Sequence, residues 1–300
     1  MHPSEPFPHF VDDYLAYLYE VLPSQASLAG VHLHDDLVED LTRPALKHNA
    51  RTLAGFGRRL HQIDAGTLSP TARVERSIIA GDIEARMFEL ETIRPWDRDP
   101  QAYADVIGAS LASQTLFSYA PEPDRARRVV SKLRQVPRLI QAARDNIKEC
   151  PGIFVKTGLE TWRGTLKFIE ADLPRAFSTL DDLHILGDLA DTSTEAANAI
   201  RSYAEFLEAD MAPRAKASFR IGRDNFEQKL RLTEGITLGA DRLLSIAMRE
   251  LGELQEEFRS VAGRLNGGDP VAAWRHVKDQ HPAPGELIVA AREQLEELVA

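Results

Sequence analysis

The sequence predicts an all-α fold, arranged as a multi-helix array of long antiparallel helices. Three observations support this prediction. Apolar residues recur three and four positions apart along most of the chain, which is the spacing of one helix face. The period-two alternation that is typical of strands is nearly absent. Turn residues separate the periodic segments without a shift in composition or an internal repeat, so residues 1–300 are expected to form a single helical region.

The helical period predicts a series of helices, of which the last is the clearest. In chain order the predicted helices span 9–22, 43–64, 70–93, 101–118, 123–149, 158–179, 194–218, 223–231 and 238–265. The last segment places one set of apolar residues on a single stripe: Leu244, Ala247, Leu251, Leu254, Phe258, Val261 and Leu265. This stripe predicts a long packed helix of the bundle or hairpin type.

Helix-start and helix-stop residues support these boundaries. Ser69 before Pro70 is a typical N-cap followed by proline at the first helical position. The run "PEPD", 121–124, ends one helix and opens the next, and Thr192–Glu195 offers a further start. The run "NGGDP", 266–270, ends the long helix and begins a short one at its proline.

The C-terminal stretch 285–300 also has a helical pattern, "GELIVAAREQLEELVA". It carries no glycine cap, no basic last turn and no polar tail. We therefore expect either that the protein continues beyond residue 300 or that a partner helix completes this one.

Composition and charge exclude several function classes. The chain has 46 acidic and 36 basic residues, a net charge of −10, which would repel a nucleic-acid backbone. The first ten residues resemble no signal peptide, and no segment offers the roughly 18 uncharged apolar residues of a membrane span. A single cysteine, Cys150, allows neither an internal disulfide nor a cysteine-based zinc cluster. A cytoplasmic protein without nucleic-acid or membrane partners is expected.

Common catalytic motifs are missing from the sequence. None of the nine histidines forms the His-Glu-x-x-His spacing of a zinc hydrolase helix. No Gly-x-Ser-x-Gly elbow, phosphate-binding glycine loop or dinucleotide fingerprint occurs either. The sequence therefore assigns no catalytic residue and no metal ligand.

The stretch "LAGVHLHDD", 28–36, is the densest group of polar, chemically versatile side chains. If the chain is extended there, His32 and His34 face the same side, and Asp35 or Asp36 could supply an oxygen ligand to a metal. Contact with a substrate is a second interpretation. A structural polar loop between two helices is the third, since Asp residues commonly fill such loops.

A spaced pattern within 22–40 points to a protein family. The pattern consists of Pro23, Ala26, Gly30, His32, Asp35, Asp36 and Asp40. It resembles the start of the bacterial domain-of-unknown-function 885 family, in which Pro-x-x-Ala-x-x-x-Gly-x-His-x-x-Asp-Asp follows a first helix. The similarity continues, in the same order, through 96–103, 125–147 and 221–251.

The resemblance implies an N-terminal half of a larger helical fold. Proteins of this family look like zinc metallopeptidases whose zinc motif lies in their second half, beyond the end of this sequence. The implied role is one wall of a peptide-substrate cleft, inactive alone, with zinc expected only with the missing C-terminal half.

The cleft candidates are His32, Asp35 and Asp36 in the early loop, and Asp97 and Tyr103 in the later turn. A purely structural role is open for each of them, since Trp96 and Tyr103 are suited to anchoring a helix start. The alternative function is a non-catalytic helical binding or scaffold protein that pairs through its helix at 285–300.

Overall fold

A computed structural model of the protein describes residues 7–265 and 268–299. The predicted all-α class is confirmed: these residues form helices and no strand, apart from one isolated antiparallel bridge between Pro151 and Lys216. The chain divides into two compact units, Met1–Ile236 (unit 1) and Thr237–Ala300 (unit 2), and each is described by itself.

Unit 1 contains helices that follow one another through short connections. Their bounds are α1 Phe7–Val21, α2 Pro23–Leu28, α3 Arg43–Gln62, α4 Pro70–Phe88, α5 Pro95–Arg98, α6 Gln101–Leu116, α7 Glu122–Leu133, α8 Val136–Asn146, α9 Gly152–Lys167, α10 Leu173–Ala176, α11 Leu183–Phe206, α12 Ala212–Arg214 and α13 Arg223–Glu234. Wider π-helical turns continue three of them, at Glu89–Ile93, Phe168–Asp172 and Leu207–Met211, and a 3-10 turn spans Ala65–Thr67.

Two apolar clusters form the core of unit 1. The larger joins α6 to α11 around Trp162 and Tyr203, which meet edge to face with ring centroids 5.3 Å apart. The smaller joins α1, α3 and α4, where Phe56 meets Phe10 and Tyr14 edge to face. Full burial of one large apolar side chain contributes roughly 1.5–3 kcal/mol, so these clusters hold the helices together.

The structure confirms two of the predicted helix starts. Ser69 Oγ accepts a hydrogen bond from the Ala72 amide at 3.2 Å, and α4 begins at Pro70. After the predicted break, α7 begins at Glu122, the residue that follows Pro121 in the sequence. Both starts follow from proline, which lacks an amide hydrogen and fits the first helical turn.

Two other boundary predictions were wrong. The predicted helix 123–149 is divided between Leu133 and Val136, because Pro137 cannot continue the hydrogen bonding of α7 and instead opens α8. The predicted start at Thr192–Glu195 lies inside α11, whose cap is Asp182. Thr194 lies in the interior of α11, where its hydroxyl donates to the Ala190 carbonyl one turn earlier, at 2.9 Å.

Unit 2 contains α14 Ala240–Gly263, α15 Pro270–Asp279 and α16 Leu287–Val299. As predicted, α15 begins at Pro270, and Asp269 caps it. Of the predicted glycine stop, Gly267 lies outside the described residues, and Gly268 has a positive φ of 90°. Phe258 and Trp274 join α14 to α15 edge to face, at 6.4 Å between ring centroids. The predicted apolar stripe of α14 exists but is mostly exposed rather than packed, with Leu244 and Leu254 both 61% exposed.

Candidate functional site

The loop between α2 and α3, residues 29–42, holds most of the residues that the sequence singled out. Gly30 has a positive φ of 84°, a conformation that glycine adopts readily and other residues avoid. At this turn the Gly30 amide donates to the Ser27 carbonyl and the Val31 amide to the Ala26 carbonyl. The glycine therefore ends α2 and directs the chain into the loop.

Asp35 is the centre of a buried hydrogen-bond network. Its carboxylate, 2% exposed, accepts hydrogen bonds from Ser27 Oγ, His32 Nδ1, Tyr119 OH and Arg128 Nη1. The His32 and Arg128 nitrogens both lie 2.9 Å from Oδ2. Burial alone would raise the pKa of Asp35, but these hydrogen bonds and positive charges lower it below its usual range.

His32 is held by two contacts. Its ring lies parallel to that of Tyr119, with 3.6 Å between centroids, and its Nδ1 contacts Asp35. Arg128, which also lies over the Tyr119 ring, would repel a cation at this position. The cluster therefore does not fit a zinc site. Within residues 7–265 and 268–299, no three His, Cys, Asp or Glu side chains are grouped so that they could hold a metal ion.

Asp36 contacts the rest of unit 1 through its backbone. Its carbonyl accepts hydrogen bonds from Ser131 Oγ at 2.9 Å and from Gln135 Nε2 at 2.7 Å, while the residue itself is exposed. Both donors lie on or directly after α7. Asp36 thus helps to attach the loop, and its carboxylate remains at the surface.

The later pair of candidates, Asp97 and Tyr103, lies in the α5–α6 turn, here the segment 95–103 that comprises α5 and the first turn of α6. Asp97 pairs with Arg94 at the start of α5. Tyr103 is fully buried, which raises the pKa of its hydroxyl; the hydroxyl donates to the Trp96 carbonyl and accepts from Asn146 Nδ2 at 2.8 Å. The same Asn146 amide donates to the Leu41 carbonyl at 2.6 Å, so Tyr103 ties the turn to the loop through α8.

A cavity of about 390 Å³ lies in unit 1 where this loop and this turn meet. It is bounded by α1, the loop, α3, the end of α4, α5 and α6. Its wall is mostly apolar, and the lining residues are Tyr17, Leu18, Val21, Leu22, Glu39, Asp40, Leu41, Leu46, Asn49, Leu53, Ala85, Arg86, Glu89, Leu90, Pro95, Trp96, Ala102 and Val106. Most of them are only half-buried, so the cavity opens to solvent.

The structure thus brings the two predicted segments to one cavity, but through other residues of each segment. Glu39, Asp40 and Leu41 line it from the loop, and Pro95, Trp96 and Ala102 from the turn. The lining residues do not include the five candidates chosen from the sequence, which are His32, Asp35, Asp36, Asp97 and Tyr103. That any of these five contacts a substrate stays a prediction.

Glu39, which the sequence did not single out, is the buried carboxylate of the cavity. It is 6% exposed; Oε1 accepts from the Ser24 amide at 3.1 Å and Oε2 from Ser24 Oγ at 2.7 Å. It thereby caps α2, whose own N-cap residue, Leu22, has no suitable side chain. Burial raises the pKa of Glu39, and the Ser24 hydrogen bonds and the positive charge of Lys132 reduce this effect.

The other charged groups of the cavity wall are paired. Arg86 Nε donates to Asp82 at 2.7 Å, Asp40 lies 3.3 Å from an Arg138 nitrogen, and Lys229 contacts Glu89. For Glu39, by contrast, no cation among the described residues lies within ion-pair distance. Lys132, fully buried on α7, instead donates from Nζ to the Leu37 carbonyl at 2.8 Å.

Solved structures with a similar fold include that of a candidate lipoprotein of unknown function from Shewanella oneidensis, with a TM-score of 0.77 and 20% sequence identity. The similarity covers 98% of this chain and 57% of that one. At this identity the comparison shows a shared all-α fold. A search of curated proteins found no match.

None of the helices in the described residues has both the length and the apolar character that crossing a bilayer requires. The cytoplasmic location stays a prediction, since the similar structure is described as a candidate lipoprotein.

A comparison with protein-family models supports the resemblance found in the sequence. Residues 23–300 match the model described as "Bacterial protein of unknown function (DUF885)". The match begins at the proline of the spaced pattern and includes unit 1 from α2 onwards, with the 29–42 loop and the α5–α6 turn, and the whole of unit 2. This chain therefore belongs to the DUF885 family.

Proposed function

We propose that this chain forms the substrate-binding helical half of a peptidase-like hydrolase, with the cavity beside Glu39 as part of its substrate cleft. One observation carries the proposal: the 29–42 loop and the α5–α6 turn border the same mostly apolar cavity. Pockets of roughly 300–1,000 Å³ with apolar walls and a few placed polar groups are typical of small-ligand sites. A peptide side chain and its neighbouring backbone suit such a pocket.

In this proposal the zinc-binding residues belong to a part of the protein outside these 300 residues. The family resemblance implies them, and the similar solved structure extends beyond its match, which covers 57% of its length. Zinc bound there would polarise the carbonyl of the scissile peptide bond and activate a water molecule. The residues of this chain would bind and orient the peptide, which lowers the barrier by keeping the scissile bond in line.

The experiment combines zinc analysis, peptide hydrolysis and peptide binding on residues 1–300. We expect no stoichiometric zinc and no turnover, together with measurable binding of short apolar peptides. Ala102→Phe, which fills the cavity from α6, should abolish that binding. Ala16→Phe, on the exposed side of α1, is the matched control and should leave it unchanged. Turnover with bound zinc, or peptide binding that Ala102→Phe does not affect, would refute the proposal.

A second function, that of a non-catalytic helical binding protein, is favoured by the surface of α16. Its large apolar side chains are exposed, for example Leu287 at 65%, Leu295 at 63% and Leu298 at 83%. In this alternative, two copies pair through 285–300. Sedimentation should then show a concentration-dependent dimer that Leu295→Glu dissociates, whereas a monomer at every concentration would exclude self-pairing.

A further inference from the structure

The apolar part of the cavity is continuous, because α1, α3 and α6 each turn aliphatic residues towards it. Leu18, Leu46 and Val106 represent these three helices in the wall, and Trp96 adds an aromatic surface from α5. Binding an apolar group there would cover the parts of these side chains that still face water, which is favourable in proportion to the area covered.

The polar part of the cavity is negative. Its lining residues include three carboxylates, Glu39, Asp40 and Glu89, and one cation, Arg86, which Asp82 already neutralises. Asp40 and Glu89 have basic partners of their own. Glu39 is the exception, since its donors, the amide and hydroxyl of Ser24 and its own backbone amide, are all uncharged.

Glu39 also retains the capacity to accept more hydrogen bonds. A carboxylate has about four acceptor positions, and the Ser24 amide and hydroxyl occupy one on each oxygen. A buried carboxylate is stable when a cation and further donors surround it. A protonated amine supplies up to three donors and one positive charge in a single group.

We propose that the cavity binds an apolar molecule carrying a protonated primary amine, with the amine against Glu39 and the apolar body against α1, α3 and α6. If the molecule is a peptide, the amine is its free N-terminus, and in that form the inference rests on the proposed function. A free apolar amine offers the same chemistry, so the experiment includes both sources.

Binding of the amine should strengthen as pH rises through the acid range and weaken again where the amine loses its proton, which for a peptide N-terminus is at about pH 8. The amine requires an ionised Glu39, and burial raises the pKa of that carboxyl, so acid weakens binding first through Glu39. Lys132 on α7 is the charged group that acts on Glu39, and it is itself surrounded by Arg128, Asp35 and Asp36. Asp40, Arg86 and Glu89 line the same cavity. Lys132 remains mostly protonated at neutral pH, with a pKa of about 8, and so favours the ionised form of Glu39.

Calorimetric titration of residues 1–300 tests the proposal with three probes of one shape: isoamylamine, isoamyl alcohol and 4-methylpentanoate. The amine should bind about tenfold or more tightly than the alcohol, as expected for charge-assisted hydrogen bonds, and the acid most weakly. Glu39→Gln should remove this preference and its pH dependence while retaining alcohol binding. Glu20→Gln, on the exposed surface of α1, is the matched control.

Circular dichroism verifies that Glu39→Gln is folded. Ala102→Phe is an independent test that the probes occupy this cavity, since it should abolish binding of all three. Equal binding of amine and alcohol, or an amine preference that survives Glu39→Gln, would overturn the inference. Titrations with the peptide Leu-Gly-Gly and with its N-acetyl form distinguish failure of the amine site from failure of the proposed peptide cleft. Peptide binding that ignores acetylation supports the cleft and refutes the amine site, whereas binding of isoamylamine without either peptide supports the amine site and refutes the peptide cleft.

Discussion

Replacing Asp35 with alanine should destabilise unit 1 by about 2–3 kcal/mol at neutral pH. The change removes a buried carboxylate that accepts hydrogen bonds from Ser27, His32, Tyr119 and Arg128. Breaking a fully buried charge pair costs roughly 3–5 kcal/mol, since the remaining charge is left without a partner. The side chains of His32 and Arg128 are 28% and 30% exposed, so water replaces part of the lost interaction. The expected loss is therefore smaller than for a fully buried pair.

The sign of the pH dependence follows from the lowered pKa of Asp35. In the unfolded chain this carboxyl has a pKa of about 3.9. Its stabilising contribution is therefore complete above that pKa and is lost as pH falls through the lower, folded-state value. The difference between wild type and Asp35→Ala should be constant near neutral pH and should narrow below about pH 4.

The assay is urea unfolding followed by tryptophan fluorescence in a Trp274→Phe background. This background removes the tryptophan of unit 2, so Trp96 and Trp162 report on unit 1 alone. Asp36→Ala is the matched control, because Asp36 holds the loop through its backbone, and its effect should stay within about 0.5 kcal/mol. A loss below about 1 kcal/mol for Asp35→Ala, or a difference that does not narrow in acid, would refute the network as the anchor of the loop.

Three further comparisons test other parts of the fold. Burial lowers the pKa of Lys132 to about 8, so between about pH 8 and 10 the folded state binds fewer protons there than the unfolded state. The free energy of unfolding of the wild type, measured in urea relative to Lys132→Met, should therefore rise between about pH 8 and 10. Gly30→Ala should cost about 1–2 kcal/mol because of its positive φ, whereas Gly81→Ala, in open space within α4, should stabilise by about 0.5–1 kcal/mol; thermal melts would contradict this if both changes had the same sign. Asp182→Ala should lose about 1 kcal/mol by removing the cap of α11, and an equal loss in Thr194→Ala would argue against the observed start.

The fold class could be predicted from the sequence because helical periodicity is local. Proline also marks starts locally, which is why Pro70 and Pro270 were placed correctly. The start of α11 was missed because Thr192–Glu195 has the composition of a cap, and only the position of the preceding turn shows that Asp182 fills this role. Likewise, the predicted helix 123–149 runs through Pro137, which in the structure separates α7 from α8.

The site was harder to predict because its chemistry depends on burial. Glu39 occupies an ordinary acidic stretch, "VED", and nothing in its neighbours indicates that α2 would bury it against Ser24. The spaced pattern did locate the correct loop. Periodicity could not show which of its residues face the cavity, since the loop follows neither a helical nor a strand period.

The two halves of the 29–42 loop therefore have separate physical roles, and this separation explains the pattern that includes Gly30, His32 and Asp35. The first half fixes the loop: Gly30 turns the chain, and Asp35 binds it to the α6–α7 connection through Tyr119 and to α7 through Arg128. The second half forms the wall, because Glu39 follows four residues after the anchor. An anchor close to the wall limits the movement of Glu39, and a pre-positioned carboxylate binds an amine without the free energy of ordering a flexible loop. Loss of Asp35 should accordingly weaken amine binding even under conditions where unit 1 remains folded.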